Sequence, residues 1–272
     1  MQHSHLTTLH AVVLALDTLC QDGTCIDELL AGSGIAPADL QRPEMRISIA
    51  QERQVFRNAT ARCQDLGLLL GRRMHVSSYG LLGFSLLSAA SLGEALEVAF
   101  SFPALLGTLF TLQLRREGAQ AWIEASDYRD ADELSTFNTE FCLASLKLIC
   151  DDLLGRPLPL TNARFSHKAP RYQRQYPRDF GCPVQFSAAG NVIGFDSEWL
   201  DRRLPLADPV THRDTLQRCH QLNREFISHQ ALISRVRQLL ARQLPDSPGL
   251  DGLARQPVSY THLRAHETKA NL

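Results

Sequence analysis

Short segments in which apolar and polar residues alternate, placed on either side of a long helical pattern, constrain the fold of this chain most. These segments lie at 110–114, 121–125, 163–166, 184–186 and 193–195. Glu117-Gly118 separates the first two and Ala189-Gly190-Asn191 separates the last two, and each is typical of a hairpin turn. The order of helices and hairpins predicts an α+β domain with about five strands, rather than a doubly wound parallel sheet.

The first third of the chain carries apolar residues at helical spacing and predicts a small helical bundle. Ser48 and Gln51 form a capping box, in which each side chain satisfies a free backbone N–H at the start of a helix. The predicted apolar face consists of Leu9, Val12, Leu16, Val55 and Phe56. Because helices this short are marginal alone, we expect the bundle to pack on the α+β domain and fold with it as one unit.

Two further helices are predicted in the middle of the chain. A capping box at Ser91 and Glu94 begins one that ends at Pro103. The other, a long helix, begins near Leu134 and ends at Gly155-Arg156-Pro157. Near its end, Asp151-Asp152 is interpreted as a solvated helix terminus rather than a pair of catalytic carboxylates, because adjacent helix residues diverge.

The charge of the chain is balanced overall but uneven along its length. Lys and Arg total 28 against 29 Asp and Glu, which gives no global argument for nucleic-acid binding. Residues 211–244 carry six arginines and two acidic residues beside an apolar stripe. This segment is either a solvated amphipathic linker helix or the beginning of a DNA-binding module.

Cysteine usage and apolar segments bear on the compartment. The seven cysteines are odd in number, widely spaced and without a CxxC motif, which predicts reduced thiols in a cytoplasmic protein. The polar N-terminus lacks the apolar region of a signal peptide. The longest apolar clusters, at 66–70 and 81–87, are too short to span a bilayer, so no membrane association is expected.

No catalytic or metal-binding constellation is evident. The motifs HExxH, GxSxG, Walker A and GxGxxG do not occur, and the ten histidines lack partners at ligand spacing. We therefore expect no enzymatic activity, no cofactor and no metal. Small-molecule pockets are mostly apolar, and aromatic residues that could line one are Phe84, Phe102, Phe110, Trp122, Phe137 and Phe141. Ordinary core packing is the alternative role for each of them.

Several segments resemble one family of regulators in order and spacing. The segments YGLLGF at 79–84 and SLGEAL at 91–96 resemble the core of the arabinose-binding-type N-terminal domain of AraC/XylS-family transcription regulators. GLLLGR at 67–72, the segment 172–186 and LDRRLPLADP at 200–209 are also similar to that family. The resemblance covers about residues 6–256.

The resemblance implies a domain organisation. Residues 1–206 would form an effector-sensing and oligomerisation domain and 207–230 a helical linker. Residues 231–257, with RVRQLL at 235–240 and LDGLA at 250–254, would begin an all-α helix-turn-helix domain that lacks both recognition helices. Residues 258–268 can be back-translated to a sequencing-library adapter, so 258–272 is expected to be a non-native tail.

These observations support two main hypotheses. The first is an effector-responsive, DNA-binding transcription regulator that lacks most of its DNA-binding domain, so that no sequence-specific DNA binding is expected of residues 1–272. As an activator and homodimer, it would have promoter DNA, a small-molecule effector and RNA polymerase as partners. The second is a stand-alone cytoplasmic module that binds a small molecule and dimerises. An enzyme ranks third because no constellation was found.

Overall fold

The computed structural model describes residues 6–20, 25–42, 45–128 and 133–243. Contacts divide the chain into two compact units, of which one is Thr7–Asn223. The described part of the other comprises Leu6 and residues 224–243. The segment 250–254 of the predicted helix-turn-helix domain and the tail at 258–272 lie outside the described residues.

The N-terminal part of the larger unit is the predicted helical bundle. Its helices are α1 (His10–Leu19), α2 (Ile26–Leu30), α3 (Ile49–Arg62) and α4 (Leu66–Gly71), and strands β1 (Leu6–Thr8) and β2 (Arg46–Ser48) pair beside them. The capping box of α3 is confirmed, since Gln51 N–H donates to Ser48 Oγ at 3.2 Å and Ser48 N–H donates to Gln51 Oε1 at 3.1 Å. The predicted face is buried in one apolar cluster.

The next helices lead into the sheet. They are α5 (Gly80–Leu87), α6 (Leu92–Ser101) and α7 (Pro103–Leu106), and α8 (Ser135–Leu154) follows the first hairpin. Ser91 caps α6 as predicted, but the Glu94 side chain accepts the N–H of Ala90 instead of completing the capping box. Pro103 both ends that helix and occupies the first turn of α7. Gly155 closes α8 in the left-handed conformation.

The five-stranded sheet confirms the predicted α+β class. Its strands are β3 (Thr111–Glu117), β4 (Gln120–Ser126), β5 (Leu160–Arg164), β6 (Val184–Gln185) and β7 (Asn191–Asp196). Their order is β3-β4-β7-β5-β6, and all neighbours are antiparallel except β5 and β6. The β3–β4 hairpin was predicted correctly, with Gly118 at positive φ in the turn.

The predicted second hairpin is wrong. β6 and β7 do not pair, because β5 lies between them and β6 runs parallel to β5. The backbone after β6 continues to form hydrogen bonds with the segment that follows β5. Ser187 N–H donates to His167 O, and Ala188 N–H donates to Phe165 O. The local turn signal at 189–191 therefore redirects the chain to the other side of β5 instead of closing a hairpin.

Close contact between α4 and α8 joins the bundle to the sheet. A Cβ atom at Gly67 would lie 2.6 Å from the Phe137 carbonyl oxygen, and one at Gly71 would lie 2.4 Å from Ala144 Cβ. Glycine is required at both positions because no side chain fits between the two backbones. This packing explains why glycines recur four residues apart in the segment 67–72.

Helix α10 (Pro209–Gln243) begins inside the larger unit. Asp208 caps it by accepting the Thr211 N–H at 2.6 Å. The helix is continuous across residue 230, where the sequence predicted a boundary between a linker and the next domain. Among the described residues no helix is both long and apolar enough to cross a bilayer.

The cysteines depart from the predicted state. Cys20 and Cys25 form a disulfide that connects the end of α1 to the start of α2, whereas only free thiols were expected. The ends of the two helices place the Cα atoms of these residues 5.4 Å apart, a distance that a disulfide spans. The odd number of cysteines and their wide spacing in the sequence do not indicate this proximity. The free cysteines are Cys63, Cys142, Cys150, Cys182 and Cys219.

Candidate functional site

Two of the six aromatic residues predicted to line a pocket lie together on α8. The rings of Phe137 and Phe141 stack at 5.9 Å between centroids, and Phe137 also lies 4.7 Å from Phe56 of α3. Phe137 belongs to the bundle core, and Phe141 packs against that core while partly buried. Packing between helices accounts for both rings.

Two more lie in the apolar cluster around the sheet. Phe102 follows α6 and meets the imidazole of His220, on α10, edge-on at 4.9 Å. Phe110, just before β3, stacks on Tyr128 at 5.0 Å. Both phenylalanines are buried in the core cluster around the sheet.

The remaining two face solvent to different degrees. Phe84 on α5 is 63% exposed. Trp122 lies on the outer face of β4, since Ala121 and Ile123 on either side are buried, and it stands opposite Gly194 of β7. The structure therefore does not bring the six predicted residues into one site, and their role in ligand binding stays a prediction.

A small open pocket lies beside Phe110. Its volume is about 110 Å³ and its lining residues are Phe100, Pro103, Leu106, Thr108, Phe110, Thr111 and Leu112. Pockets for drug-sized ligands are usually about 300–1,000 Å³, so this one holds only a small group. Of the six predicted aromatic residues, Phe110 alone lines this pocket.

A partly buried polar cluster lies where α4, α8 and the segment 171–180 meet. We call it the Glu140 cluster, and it consists of Cys63, Asp65, Arg72, Glu140, Tyr172, Tyr176 and Asp179. Glu140 projects from α8 and is fully buried. The hydroxyls of Tyr172, at 2.7 Å, and Tyr176 both donate to its Oε1 atom.

Burial dominates the electrostatics of Glu140. Desolvation raises the pKa of its carboxyl to about 7, and the two tyrosine hydroxyls oppose this rise only in part. The negative charges of Asp65 and Asp179 add to the rise. Burial, together with the charge of Glu140, also raises the pKa of Tyr172 and of Tyr176, so both hydroxyls stay protonated and act as donors.

The surface edge of the Glu140 cluster is an ion pair. Arg72 Nη1 lies 2.6 Å from Asp179 Oδ1, and the Asp179 side chain is nearly buried while that of Arg72 is 44% exposed. Burial raises the pKa of Asp179, although Arg72 opposes it. Burial also acts to raise the pKa of Asp65, but hydrogen bonds from Gln175 and Cys63 outweigh it, so the pKa of Asp65 is lowered.

No local sequence pattern predicted the Glu140 cluster. Glu140 stands three residues after Phe137 and one before Phe141, and therefore on the apolar side of a predicted helix. A carboxylate on a buried face is the available signal, because such a group is retained only where it finds hydrogen-bond partners. Its tyrosine partners lie more than 30 residues away and have no local pattern.

The interpretation of Asp151 and Asp152 also needs correction. Asp151 accepts the Leu158 N–H at 2.7 Å and pairs with Lys147, and Asp152 accepts the Val76 N–H at 2.9 Å. They are structural hydrogen-bond acceptors rather than a freely solvated helix end. They diverge as expected and do not form a catalytic pair.

Comparison with known proteins decides the family. The model of the arabinose-binding domain of AraC transcription regulators, N-terminal part, matches residues 23–204. The ornithine utilization regulator of Pseudomonas aeruginosa is 32% identical over 254 residues, covering 92% of this chain and 75% of that protein. The chain belongs to the AraC family of transcription regulators.

A second relative is also a transcriptional regulator, and one solved structure shares the fold. An uncharacterized helix-turn-helix-type transcriptional regulator of Mycobacterium tuberculosis is 26% identical, over 85% of this chain and 70% of that protein. The crystal structure of the transcriptional regulator CdpR from Pseudomonas aeruginosa shares the fold, with a TM-score of 0.51 and 22% identity over 75% of this chain and 67% of that one. These relatives are regulators, not enzymes, and the prediction of a DNA-binding transcription regulator is confirmed.

In this AraC-family regulator the start of α10 is fixed to the arabinose-binding-type domain. His212 Nδ1 lies 2.9 Å from the Ser85 carbonyl oxygen, and Cys219 is fully buried against the sheet core. In the same turns, Arg213 and Arg218 of the predicted basic stretch are exposed, and Arg218 pairs with Asp214 at 3.2 Å. The first turns of α10 are thus part of the core of this domain.

Proposed function

We propose that this regulator responds to a small-molecule effector and that the residues around Phe102 and His220 couple effector binding to α10. In the intact regulator α10 leads toward DNA-binding elements. A change in how the domain holds the first turns of α10 would alter how those elements are presented to promoter DNA.

The observation that carries this proposal is the contact between α10 and two helices of the domain. Asp208 N–H donates to Ser88 O at 3.0 Å, His212 bonds to α5, and His220 packs on the residue that ends α6. An effector that binds more tightly to one arrangement of these contacts shifts the equilibrium toward that arrangement.

The partners of this function follow from the family. We propose that the regulator acts as a homodimer in the cytoplasm, where it binds promoter DNA and activates transcription with RNA polymerase. Phosphate contacts would supply most of the affinity and side chains in the major groove the specificity. A relative is named for ornithine utilization, so amino acids and amines are the first effectors to test.

A screen of the full chain by thermal unfolding tests the effector response. A compound present at 100 times its dissociation constant stabilises the native state by about 2.7 kcal/mol, which shifts the melting temperature by several degrees. Hydrogen exchange is then measured with and without each compound that stabilises the chain. We expect the amides of residues 212–223 to change protection.

A coupled mutant sharpens the test. Phe102→Leu removes the ring that contacts His220. This variant should retain effector binding but show a smaller effector-dependent change in hydrogen exchange along α10. A compound that stabilises the wild type without changing the hydrogen exchange of residues 212–223 would favour the stand-alone binding module. A chain that no amino acid, amine, sugar or organic acid stabilises would contradict the effector response itself.

A further inference from the structure

Two arginines lie over one tryptophan ring at the surface of the larger unit. Trp199 belongs to a short helical turn, Ser197–Asp201, and its side chain is buried. The guanidinium carbon of Arg156 lies 5.0 Å from the centre of the ring, and that of Arg202 lies 5.2 Å from it. Both arginines are exposed, so contact with one ring holds two cations together at the surface.

The N–H groups of both guanidiniums are available. No carboxylate of the described residues forms an ion pair with Arg156 or Arg202, and no described atom accepts a hydrogen bond from either side chain. Asp201, next to Arg202 in the chain, is held by both Nη atoms of Arg116, at 3.1 and 2.8 Å. Glu198 is exposed and pairs with neither arginine. A guanidinium presents its donors in a planar fork that matches the two oxygens of a carboxylate or a phosphate, so this pair is open to an anion.

Apolar side chains lie beside the two arginines. Pro205 lies next to the end of α8, since a Cβ atom at Gly155 would be 3.6 Å from Pro205 Cγ, and Gly155 directly precedes Arg156. Leu206, which follows Pro205, is 64% exposed. The surface is therefore apolar as well as cationic. We call it the Trp199 surface, and it consists of Arg156, Trp199, Arg202, Pro205 and Leu206.

This composition favours one of the two common macromolecular anions. A nucleic-acid backbone presents phosphate and sugar, against which an exposed Leu206 buries no apolar partner. An acidic peptide presents carboxylates to Arg156 and Arg202 and can also bury an apolar side chain on Leu206. Arginine is enriched in interfaces between proteins, where it commonly supplies much of the binding energy. The surface therefore fits an acidic peptide better than DNA.

We propose that the Trp199 surface binds an acidic segment of a partner protein, with carboxylates on Arg156 and Arg202 and an apolar side chain on Leu206. The ring of Trp199 orients the two guanidiniums before the partner arrives, which lowers the ordering cost of binding. The partner contacts the segment that leads into α10, whose backbone is bonded to α6 through the Leu92 N–H and Arg202 O at 3.2 Å. The inference does not depend on the effector response.

Selection of random peptides displayed on phage against the immobilised full chain tests the chemistry of the partner. We expect the enriched peptides to combine a net negative charge with apolar residues. An enriched peptide is then synthesised and titrated against the Trp122→Phe variant, in which Trp199 is the one remaining tryptophan. The fluorescence of Trp199 should change on binding, because the peptide contacts the arginines that cover its ring.

Further variants in the Trp122→Phe background show which side chains bind the peptide. Arg156→Gln combined with Arg202→Gln should weaken binding at least tenfold, because both charge-assisted contacts are lost. Leu206→Ser should weaken it by a smaller factor. Arg164→Gln, at an exposed arginine of β5, is the matched control and should bind as the parent does. If the double variant does not unfold as cooperatively as the parent, the two single arginine variants take its place.

Several results would overturn the proposal. Selection that enriches no peptide, or only neutral or basic ones, would show that the surface does not favour an acidic partner. Unchanged affinity for an acidic peptide in folded variants of Arg156 and Arg202 would place the contact elsewhere. A DNA duplex of unrelated sequence is titrated in the same way. Tighter binding of the duplex than of the peptide, with the same dependence on the two arginines, would assign the surface to phosphate instead.

Discussion

The ring of Phe102 meets the imidazole of His220 edge-on at 4.9 Å, so the residue that ends α6 is in direct contact with α10. Phe102 is buried, and the nearby residues Phe100 and Pro103 line the small pocket. The Phe102 ring is thus one of the contacts between the domain interior and α10.

Replacing His220 by Ala should loosen α10 while the domain stays folded. An aromatic pair contributes about 0.5–1.5 kcal/mol beyond its buried area, and His220 is otherwise exposed. We expect a small change in melting temperature and faster hydrogen exchange at residues 212–223. Arg213→Ala, an exposed change on the same helix, should not accelerate exchange. Equal acceleration in both variants would mean that the ring contact does not hold the helix.

Replacing Gly71 by Ala should destabilise the whole unit. The new Cβ would lie 2.4 Å from Ala144 Cβ, which forces α4 and α8 apart. Overpacking of this kind costs about 1–3 kcal/mol, measured by denaturant unfolding. Gly190→Ala is the control, because its Cβ would meet nothing closer than Glu124 Oε1 at 3.8 Å. The double variant Gly71→Ala/Ala144→Gly should recover part of the loss, and no recovery would place the strain elsewhere.

Replacing Phe56 by Ala should lower the stability of bundle and sheet together. Phe56 is buried against Phe137, and a Phe-to-Ala change in a core costs about 3–5 kcal/mol. We expect one cooperative transition, followed by circular dichroism in the far and near ultraviolet, at lower denaturant. Two separate transitions would show that the bundle unfolds independently of the sheet.

Glu140 should make stability depend on pH. Its native pKa of about 7 exceeds the unfolded value of 4.5, so between these values the native state binds more protons than the unfolded state. Stability from this group therefore falls as pH rises from 4.5 to about 7, by about 3 kcal/mol in all. Glu140→Gln should lack this component.

The measurement is the difference in unfolding free energy between wild type and Glu140→Gln from pH 4.5 to 8. The other titratable groups that face Glu140 are present in both proteins: Cys63, Asp65, Arg72, Tyr172, Tyr176 and Asp179. Their contributions cancel to first order in the difference. A difference that does not change with pH would show that Glu140 titrates near its ordinary value.

The disulfide gives a direct chemical test. Protein purified without reductant and then denatured should show five reactive thiols, because Cys20 and Cys25 are paired. Closing so short a loop stabilises the fold by about 2 kcal/mol, so reduction should lower the melting temperature. Seven thiols would support the sequence-based expectation of a fully reduced chain.

Features set by near neighbours in the chain could be predicted from sequence. The capping pair of Ser48 and Gln51 and the hairpin around Gly118 each depend on a few adjacent residues, and both are present. The pairing of β6 could not be found this way, because it is decided by hydrogen bonds to residues about 20 positions earlier.

The candidate site was beyond sequence reasoning for a related reason. Aromatic residues such as Phe137 and Trp122 were selected by type, and type alone does not separate core packing from ligand contact. The Glu140 cluster depends on three distant segments that meet at one carboxylate. The sequence pattern does place a charged residue, Glu140, on a buried helix face. That signal identifies a site only when the hydrogen-bond partners of the residue are known.

Helix α8 contributes to both apolar cores of the larger unit. Its first turns, with Phe137, belong to the bundle cluster, whereas Leu143 and Ile149 belong to the cluster around the sheet. A chimera that exchanges the N-terminal bundle between two relatives must therefore take the first half of this helix with it. The bundle and the sheet are therefore constrained to evolve together. A substitution in either core that moves α8 restricts which residues the other core can accept.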